Sequence, residues 1–458
     1  MYKIDFNHPI HVHFIGIGGI SMSGLAEILL KEGFTVSGSD SKESPLTKKL
    51  ESKGAQIFYG QKAENIIPGI GCVIYTAAIS RSNPELIEAV AQKLPLLTRA
   101  ELLGQLMKNY DTPIAVSGTH GKTTTTSMIS HILLEGNLDP TISVGGILKA
   151  IGGNIRVGNS GTFITEACEY TNSFLHFFPK ISVILNIEED HLDFFKDLED
   201  IRHSFHQFAA LLPEDGTLVI NGDIKDYSEI FEGLSCNVVT YGSSEGFDYS
   251  ADNIAYDENG HVSFDLIRSG KHTDHICLSV TGDHNVSNAL SAIAVADLLE
   301  IPMDVTKKGL LSFTGTDRRF EYKGEFNGVT IVDDYAHHPT EIAATLKAAQ
   351  HSPHNCVWCV FQPHTYTRTK AFLHEFAESL SHADHLVLAD IYAARETDTL
   401  GISSADLARE AEKLGTDTHY FPSFGEIEAF LKENCRPGDL LITMGAGDIV
   451  NVGEDLLK

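Results

Sequence analysis

The chain has 458 residues, of which 42% are hydrophobic and 21% are charged, a composition typical of soluble globular proteins with several domains. Its formal net charge of −28 at pH 7 disfavours nonspecific binding to nucleic acid and to anionic membranes. No apolar run is long enough to span a bilayer, and the first residues contain no basic region or cleavage site of a signal peptide.

The seven cysteines are sparse and odd in number, which favours free thiols in a reducing cytoplasm. Cys356 and Cys359 form a C-x-x-C motif inside the apolar run "NCVWCVFQ". We interpret this run as a buried strand rather than a metal or redox motif. The expectation is a cytoplasmic protein without nucleic-acid partners or membrane insertion. The sequence does not predict its oligomeric state.

Three segments, 11–33, 113–136 and 328–350, share one pattern. Each begins with a continuous apolar run, continues through a loop and ends in a helical periodicity. Continuous apolar strands are typical of parallel sheets covered by helices on both faces. The sequence therefore predicts an α/β fold with three units.

The first of these segments contains a glycine loop, "GIGGISMSG", with Gly16, Gly18 and Gly19. Asp40 follows at the end of the next apolar run, a distance typical of a ribose contact in dinucleotide-binding folds. The sixth position of the G-x-G-x-x-G pattern is Ser21. The loop predicts a diphosphate site, which either a nicotinamide cofactor or a nucleotide-linked substrate would satisfy. A strand over 72–79 and a helix over 85–92 complete this unit.

The second segment contains a phosphate-loop pattern. The predicted order is strand, then the loop, then a helix, with seven candidate ATP-binding residues: Gly118, Thr119, His120, Gly121, Lys122, Thr123 and Thr124. A helix N-terminus offers N–H donors, Lys122 reaches the terminal phosphates, and the Thr123 hydroxyl is suited to Mg²⁺. Val116 stands where the full Walker pattern has glycine. A glycine-capped helix with a surface lysine is the alternative.

Acidic residues end the next two apolar strands. "FITEACEY" ends in Glu166 and Glu169, and "VILNIEEDHLD" ends in a run that includes His191. The carboxyl ends of parallel strands face one crevice, so these groups are expected near the phosphate loop. We predict that Glu166 and His191 hold Mg²⁺ together with Thr123. Taken singly, an acid at a strand end is more often a solvated loop residue, but as a group behind a phosphate loop these residues favour a metal site.

Nine motifs occur in one order along the chain: "GIGGISMSGLAE", "GTHGKTTTTSM", "EACEYTNSFL", "NIEEDHLDFF", "GDHNVSNALSA", "DRRFEYKG", "VDDYAHHPTEI", "FQPHTYTRT" and "PGDLLITMGAGDI". In combination they resemble the Mur ligase family over nearly the whole chain. The resemblance implies an N-terminal Rossmann-like domain over 1–108 that binds a UDP-sugar. It also implies a central P-loop-type ATPase domain over 109–313. A C-terminal Rossmann-like domain over 314–458 would bind the amino acid and close over ATP.

The resemblance further implies an ATP-dependent ligase of peptidoglycan synthesis. In the alanine-adding branch, L-alanine is joined to the lactyl carboxylate of UDP-N-acetylmuramate, with ADP and phosphate as products. A carboxylate is a poor acyl donor, and phosphorylation by ATP converts it to an acyl phosphate with a good leaving group. Catalysis is then mostly positioning and charge neutralisation. The implied cofactors are ATP and Mg²⁺.

The resemblance also implies roles for residues of the C-terminal motifs. Arg319 would neutralise the transferring phosphoryl group, and adjacent Arg318 would act on the UDP-sugar carboxylate side together with Arg368. Asn285 matches a position near the adenine and Asp334 one near the ribose. Two more matches lie near the phosphates and the reacting carboxylate, Tyr335 and His337. For His337 and His338, capping of a helix before Pro339 is the alternative. Asp448 matches a structural or amine-side position.

Two departures distinguish this chain within the family pattern. Several members have a carbamylated lysine shortly after "DHLD", where this chain has Phe205 and no lysine. The alanine-adding branch shares this absence, so no carbamate is expected. Many alanine-adding members have arginine where this chain has Thr365, so one substrate-side charge is missing or comes from elsewhere.

Three other functions fit parts of the pattern. A recycling ligase that adds a ready-made tripeptide to the same UDP-sugar shares most of the motifs. A nicotinamide-dependent oxidoreductase fits the glycine loop alone and leaves the phosphate loop unexplained. A noncatalytic nucleotide-binding module is the third alternative, and turnover with both substrates would exclude it.

Overall fold

The computed structural model describes residues 2–76, 79–394 and 396–458. The chain forms two compact units. The first contains residues up to Tyr241 together with Ser291–Gly309, and the second contains Gly242–Leu290 and Leu310–Lys458. Both units contain parallel strands that alternate with helices, which confirms the predicted α/β fold class.

The N-terminal part of the first unit is a 5-stranded parallel sheet in the order β3-β2-β1-β4-β5. Its strands are β1 His11–Ile15, β2 Thr35–Asp40, β3 Gln56–Tyr59, β4 Ile70–Tyr75 and β5 Leu96–Thr98. Its helices are α1 Ile20–Lys31, α2 Pro45–Ser52, α3 Pro84–Ala91 and α4 Arg99–Met107. The strand predicted over 72–79 ends at Tyr75, and Ala77 and Ala78 lie outside the described residues. The strand order reverses direction at β1, the position where open α/β sheets bind ligands.

The rest of the first unit is a second sheet whose strands run in the order β12-β11-β10-β6-β9-β7-β8. They are β6 Thr112–Ser117, β7 Thr141–Leu148, β8 Gly153–Arg156, β9 Thr162–Ala167, β10 Ile181–Ile184, β11 Thr217–Asn221 and β12 Asn237–Tyr241, with helices α5 Lys122–Glu135 and α6 Leu198–Ala209. The apolar strand β6 is paired in parallel with β9 on one side and with β10 on the other. The segments that follow β9 and β10 therefore flank the loop that follows β6.

One close backbone contact fixes α4 in the first unit. A Cβ atom at Gly104 would lie 1.8 Å from the carbonyl oxygen of His176. His176 belongs to the short helical segment 170–176 that follows β9. Only glycine allows this approach, so the helix that leaves the first sheet is held against the backbone of the second.

The second unit begins with three antiparallel strands, β13 Tyr249–Tyr256, β14 Val262–Arg268 and β15 Lys271–Cys277. Two helices follow them in the chain, α7 Asp283–Leu298 and α8 Met303–Ser312, and their residues from Ser291 to Gly309 belong to the first unit. A 6-stranded sheet has the order β16-β17-β21-β18-β19-β20. Its strands are β16 Glu321–Phe326, β17 Val329–Asp334, β18 Val357–Phe361, β19 His385–Leu388, β20 Asp417–Tyr420 and β21 Leu440–Met444. Its helices are α9 Pro339–Ala349, α10 Tyr366–Ala371, α11 Leu373–Leu380, α12 Ser404–Lys413, α13 Phe424–Asn434 and α14 Val450–Leu456.

All seven cysteines are free thiols. Cys359 is fully buried in β18, where burial raises the pKa of its thiol. Most of the C-x-x-C motif therefore lies in a core strand, with half-buried Cys356 directly before it. In the part of the chain that the structure describes, no helix combines the length and apolar character needed to cross a membrane.

Candidate active site

The phosphate-loop pattern forms the predicted strand, loop and helix. β6 ends at Ser117 and α5 begins at Lys122. Gly118 and Gly121 have φ values of +148° and +83°, a region that favours glycine. A Cβ atom at Gly118 would also lie 2.9 Å from the Leu185 side chain. No side chain caps the first turn of α5, so its backbone N–H groups and positive dipole end suit an anion.

The Lys122 side chain lies over the loop. Its Nζ donates to the carbonyl oxygens of Gly118 and Thr119 and to Glu169, at 3.0 Å from Oε2. Burial acts to lower the pKa of Lys122, but the charge and hydrogen bond of Glu169, together with the charges of Cys168 and Glu166, outweigh it, and the net pKa is raised. The lysine is therefore held as a cation at the loop. Thr123 and Thr124 follow it in the first turn of α5.

The segment after β10 is hydrogen-bonded to the phosphate loop. The His120 N–H donates to Asn186 Oδ1 at 2.7 Å, and Asn186 Nδ2 donates back to the His120 carbonyl at 3.1 Å. The Glu188 N–H donates to Thr119 Oγ1 at 2.9 Å. These bonds fix the loop against the strand end that carries His191.

The two acids of the β9 motif, Glu166 and Glu169, differ in their contacts. Glu166, in β9, accepts a hydrogen bond from the Gly145 N–H. Glu169 is 3% exposed and contacts Lys122 and also His191, at 3.6 Å from Nε2. Glu169 was not among the predicted metal or catalytic residues, although it lies in the same motif.

The donor groups at this site fit a magnesium ion. Mg²⁺ prefers oxygen ligands, and the site offers the Glu166 and Glu169 carboxylates and the Thr123 hydroxyl. His191 has φ of +54° and contacts Glu169 and Asp190. As a ligand it would offer a nitrogen, which Mg²⁺ favours less than oxygen.

The N-terminal glycine loop is organised by Asp40. The Gly18 N–H donates to Asp40 Oδ2 at 2.8 Å, and a Cβ atom at Gly18 would lie 2.8 Å from the same oxygen. Gly16 has φ of +82°, and no side chain caps α1 at Gly19. The N-terminus of α1 therefore has no side-chain cap. Asp40, which was predicted as a ribose contact, accepts a hydrogen bond from the glycine loop itself.

Sequence reasoning missed Arg99, at the start of α4. Its Nη1 donates to Ser21 Oγ at 3.0 Å, so it bonds to the residue that replaces glycine in the fingerprint. Burial lowers the pKa of Arg99, and the charges of Cys168 and Glu166 act in the opposite direction. Arg99 lines a cavity of about 720 Å³ together with Arg81 and His176. Arg99 and Ser21 are 78 residues apart, and no local pattern links them.

In the second unit, Asp334 and Tyr335 lie beside Arg319. Asp334 accepts hydrogen bonds from the N–H groups of Phe320 and Ala336 at 2.7 and 2.8 Å. Burial raises its pKa to about 6, against the opposing effect of Arg319. The Arg319 guanidinium lies 5.5 Å from the centre of the Tyr335 ring. The structure thus brings together three residues that were predicted to serve ATP.

Arg318 points into its own domain. Its Nε donates to Asp333 Oδ2 at 2.9 Å, and its terminal nitrogens donate to the carbonyls of Gly445 and Gly447 at 2.7 and 3.1 Å. Asp333 is fully buried. Arg318 therefore joins the segment before β16 to β17 and to the loop after β21.

The two histidines of the "DYAHHP" motif have different contacts. His338 is the N-cap of α9 and accepts the Thr340 N–H at 3.4 Å. His337 Nδ1 lies 3.0 Å from the Tyr335 carbonyl oxygen and 3.3 Å from Glu341 Oε2. Helix capping therefore accounts for His338, while His337 faces the cluster around Tyr335.

The remaining predicted residues of this domain follow β18 and β21, with Arg368 in α10 and Asp448 in the loop after β21. Arg368 Nη1 lies 3.3 Å from His364 Nδ1, and the His364 ring lies 5.8 Å from that of His337. Thr365, with φ of +67°, is the N-cap of α10. Asp448 accepts a hydrogen bond from the Gln362 amide at 3.0 Å.

Asn285 lies near the start of α7 and is buried. Its Nδ2 donates to the Thr281 carbonyl at 2.7 Å, and its Oδ1 accepts from Asn288 at 3.0 Å. Asn288 is a second buried amide that the sequence analysis did not single out. The three-residue spacing places both amides on one helix face, and this spacing could have revealed it.

Three family models match consecutive parts of the chain. The model described as "Mur ligase family, catalytic domain" matches residues 11–111. "Mur ligase middle domain" matches residues 116–296, and "Mur ligase, glutamate ligase domain" matches residues 318–447. These matches confirm the predicted three-domain α/β architecture.

Relatives of similar length support the same assignment. The chain is 62% identical to UDP-N-acetylmuramate–L-alanine ligase of Agathobacter rectalis, with 100% of both chains covered. It is 60% identical, again over 100% of both chains, to the protein of the same name from Lachnospira eligens. The crystal structure of UDP-N-acetylmuramate–alanine ligase from Thermotoga maritima is similar with a TM-score of 0.81, 28% identity and 98% coverage of each chain. The chain belongs to the Mur ligase family.

Proposed function

We propose that this chain is an ATP-dependent ligase that joins L-alanine to the lactyl carboxylate of UDP-N-acetylmuramate in peptidoglycan synthesis. The observation that carries the proposal is the phosphate loop, with Lys122 held as a cation by Glu169, in a chain that is 62% identical over its full length to a ligase of that name. UDP-N-acetylmuramate and L-alanine are the partners, and the product is an amide.

The proposed reaction has two chemical steps. An oxygen of the lactyl carboxylate attacks the γ-phosphorus of ATP, the bond to the bridging oxygen breaks, and ADP leaves. The amino nitrogen of L-alanine then attacks the acyl carbon to form a tetrahedral intermediate. Its collapse breaks the bond to the phosphate oxygen, phosphate leaves, and the nitrogen loses a proton.

The chain's own residues supply positioning and positive charge for the first step. Lys122 and the N-terminus of α5 would bind the terminal phosphates, and Arg319 would face the transferring phosphoryl group. Thr123, Glu166 and His191 would hold Mg²⁺, which neutralises phosphate charge when it is bound. The contact of Glu169 with both Lys122 and His191 makes it a further residue that orders this site.

The residues proposed for the nucleotide base and sugar belong to the second unit. Asn285 would face the adenine, and Asp334 the ribose of ATP. Tyr335 and His337 would lie near the phosphates and the reacting carboxylate. Their grouping around Arg319 and Glu341 supports a single ligand site.

The glycine loop is the proposed site of the UDP diphosphate. Gly16, Gly18 and Gly19 leave the start of α1 without a side-chain cap, and Asp40 holds the loop in shape. Arg318 and Arg368 stay predicted contacts of the UDP-sugar, although Arg318 also bonds to Asp333 within its domain. We also propose a cytoplasmic location, where a UDP-sugar and ATP are both present.

The proposed domain limits are 1–108, 109–313 and 314–458. The three family matches, at 11–111, 116–296 and 318–447, each fall within or close to one of these ranges. The match that crosses a proposed limit does so by only a few residues, in the turn between α4 and β6.

The alternative amine is a murein tripeptide. A murein peptide ligase from Psychrobacter arcticus shares the fold, with a TM-score of 0.71 and 24% identity. The 62% identity over the full length of both chains to the L-alanine ligase of A. rectalis favours alanine.

The test measures phosphate release from ATP in the presence of UDP-N-acetylmuramate with L-alanine, glycine, L-serine or the tripeptide. We expect the highest kcat/KM with L-alanine and no release when either substrate is omitted. Preference for the tripeptide would identify a recycling ligase. Hydride transfer to NAD without ATP turnover would identify an oxidoreductase.

A further inference from the structure

Glu341 lies in the first turn of α9, and its side chain is only 11% exposed. One carboxylate oxygen, Oε1, lies 3.6 Å from Arg319 Nη1. The other, Oε2, accepts the His337 N–H at 3.2 Å and lies 3.3 Å from His337 Nδ1. Each oxygen of this one carboxylate thus contacts a different proposed active-site residue.

Arg319 and His337 come from separate segments of the domain. Arg319 precedes β16, and His337 follows β17. The Tyr335 ring is near both, at 5.5 Å from the Arg319 guanidinium and 5.4 Å from the His337 ring. Ring contacts of this kind restrain distance but leave long side chains free to rotate. A charged hydrogen-bond acceptor that is held on a helix also fixes the orientation of the side chains that bind it.

The charge of Glu341 also affects the pKa values of two further groups. Burial raises the pKa of Asp334, Arg319 lowers it, and Glu341 adds to the increase. Burial lowers the pKa of His284, while Asp283 and Glu341 act against that effect. Glu341 therefore lies within electrostatic reach of residues on β17 and at the start of α7, as well as of its two direct contacts.

We propose that Glu341 is a positioning residue, which fixes the guanidinium of Arg319 and the imidazole of His337 relative to each other for phosphoryl and acyl transfer. The proposal rests on the proposed function for the roles of Arg319 and His337. An arginine that stabilises developing negative charge acts best when its position is fixed before the reaction. Displacement of a catalytic group by about 1 Å can cost about 100-fold in rate.

The main variants are Glu341→Gln, which keeps the size and one acceptor oxygen but removes the charge, and Glu341→Asp, which keeps the charge on a shorter side chain. We expect Glu341→Gln to lower kcat by about 10- to 100-fold while the KM for UDP-N-acetylmuramate stays unchanged. Glu341→Asp should recover part of the loss. Glu375→Gln is the matched control, because Glu375 is an exposed acid in the first turn of α11 in the same domain.

A double-mutant cycle with Arg319→Lys tests whether Glu341 acts through Arg319. Residues that act as one unit are not additive. The effect of Glu341→Gln on kcat should therefore be much smaller in the Arg319→Lys background than in the wild type. Independent effects, with fold-losses that multiply, would overturn the proposal. So would wild-type kcat in Glu341→Gln.

Calorimetry measures the affinity of the same four proteins for a non-hydrolysable ATP analogue, which gives a second double-mutant cycle. Thermal unfolding of every variant checks that it is folded. We expect coupling between Glu341 and Arg319 in this affinity too. If the wild type fails to turn over UDP-N-acetylmuramate with L-alanine, the proposed function is wrong, and the binding cycle still decides the coupling. Additive losses of affinity would then reject the positioning role. If Glu341→Gln fails to fold, Glu341→Asp replaces it in the same double-mutant cycle.

Discussion

Lys122 Nζ lies 3.0 Å from Glu169 Oε2, and the two side chains are 17% and 3% exposed. The pair joins the first residue of α5 to the segment that follows β9. Because Glu169 also contacts His191, one carboxylate links the lysine of the phosphate loop to a proposed metal ligand.

Glu169→Gln should destabilise the first unit and lower the pKa of Lys122. The substitution leaves a buried ammonium without its carboxylate, and loss of one partner from such a pair typically costs about 3–5 kcal/mol. Urea-induced unfolding measures the free energy, with the exposed Glu214→Gln as the control. Equal stability of both variants would mean that the pair contributes nothing.

Lys122→Ala should abolish turnover and leave binding of UDP-N-acetylmuramate nearly intact. The physical reason is that Lys122 lies at the loop after β6, whereas the glycine loop follows β1 of another sheet. Calorimetry with the UDP-sugar and with a non-hydrolysable ATP analogue measures the two affinities separately, and exposed Lys225→Ala serves as the control. A comparable loss of both affinities would contradict separate sites.

Glu166→Gln should raise the Mg²⁺ concentration that half-maximal activity requires. It removes an anionic oxygen ligand without a change in size, and loss of a positioned charge can lower the rate by about 10²–10³-fold. Activity is measured over a magnesium titration, beside Glu199→Gln in the first turn of α6. Normal rate and normal magnesium dependence would place the cation elsewhere.

Asp334 should make the protein less stable as pH rises from about 4 to 6. Its folded-state pKa of about 6 exceeds its ordinary value of 3.8 because the carboxyl is buried. The folded state therefore binds more protons than the unfolded state in this window, and the free energy of unfolding falls with pH. Asp334→Asn removes this contribution. The measurement is the difference in unfolding free energy between the two proteins at several pH values, and a constant difference would refute the assignment.

Phe205→Ala should act through stability, and acetate should not restore activity. Phe205 is fully buried and packs edge-on against Phe174 at 5.4 Å, and such truncations cost about 3–5 kcal/mol. Phe208→Ala is the control, because Phe208 stacks on the same ring at 4.6 Å. Activity of the wild type should not depend on bicarbonate. A bicarbonate requirement, or acetate rescue of the Phe205 variant alone, would point to a carbamylated lysine such as Lys196.

The local parts of the site were predictable because their signals lie within a few residues. The turn from β6 to α5 needs glycines at fixed positions, and the glycine loop of α1 follows the same rule. The sequence alone could not show whether Glu166 or Glu169 contacts Lys122. Both acids end the same strand motif, and only the backbone after β9 determines which one contacts Lys122.

Contacts between distant segments account for the remaining differences. Arg99 at the start of α4 bonds to Ser21 at the start of α1, and Glu341 meets Arg319 only because β16 and β17 pair. Neither relation leaves a periodic pattern in the sequence. His337 and His338 show a finer limit: these adjacent histidines differ in role because His338 caps α9 and His337 lies one residue before the cap.

The contact between Gly104 and the His176 carbonyl has a consequence for inhibitor design. α4 and the segment 170–176 both contribute residues to the wall of the cavity beside Arg99, and they touch through backbone atoms at Gly104. A compound that fills this cavity meets two walls whose spacing is set by main-chain contact rather than by rotatable side chains. Resistance through a larger residue at position 104 would push those walls apart, so escape by that route carries a folding penalty.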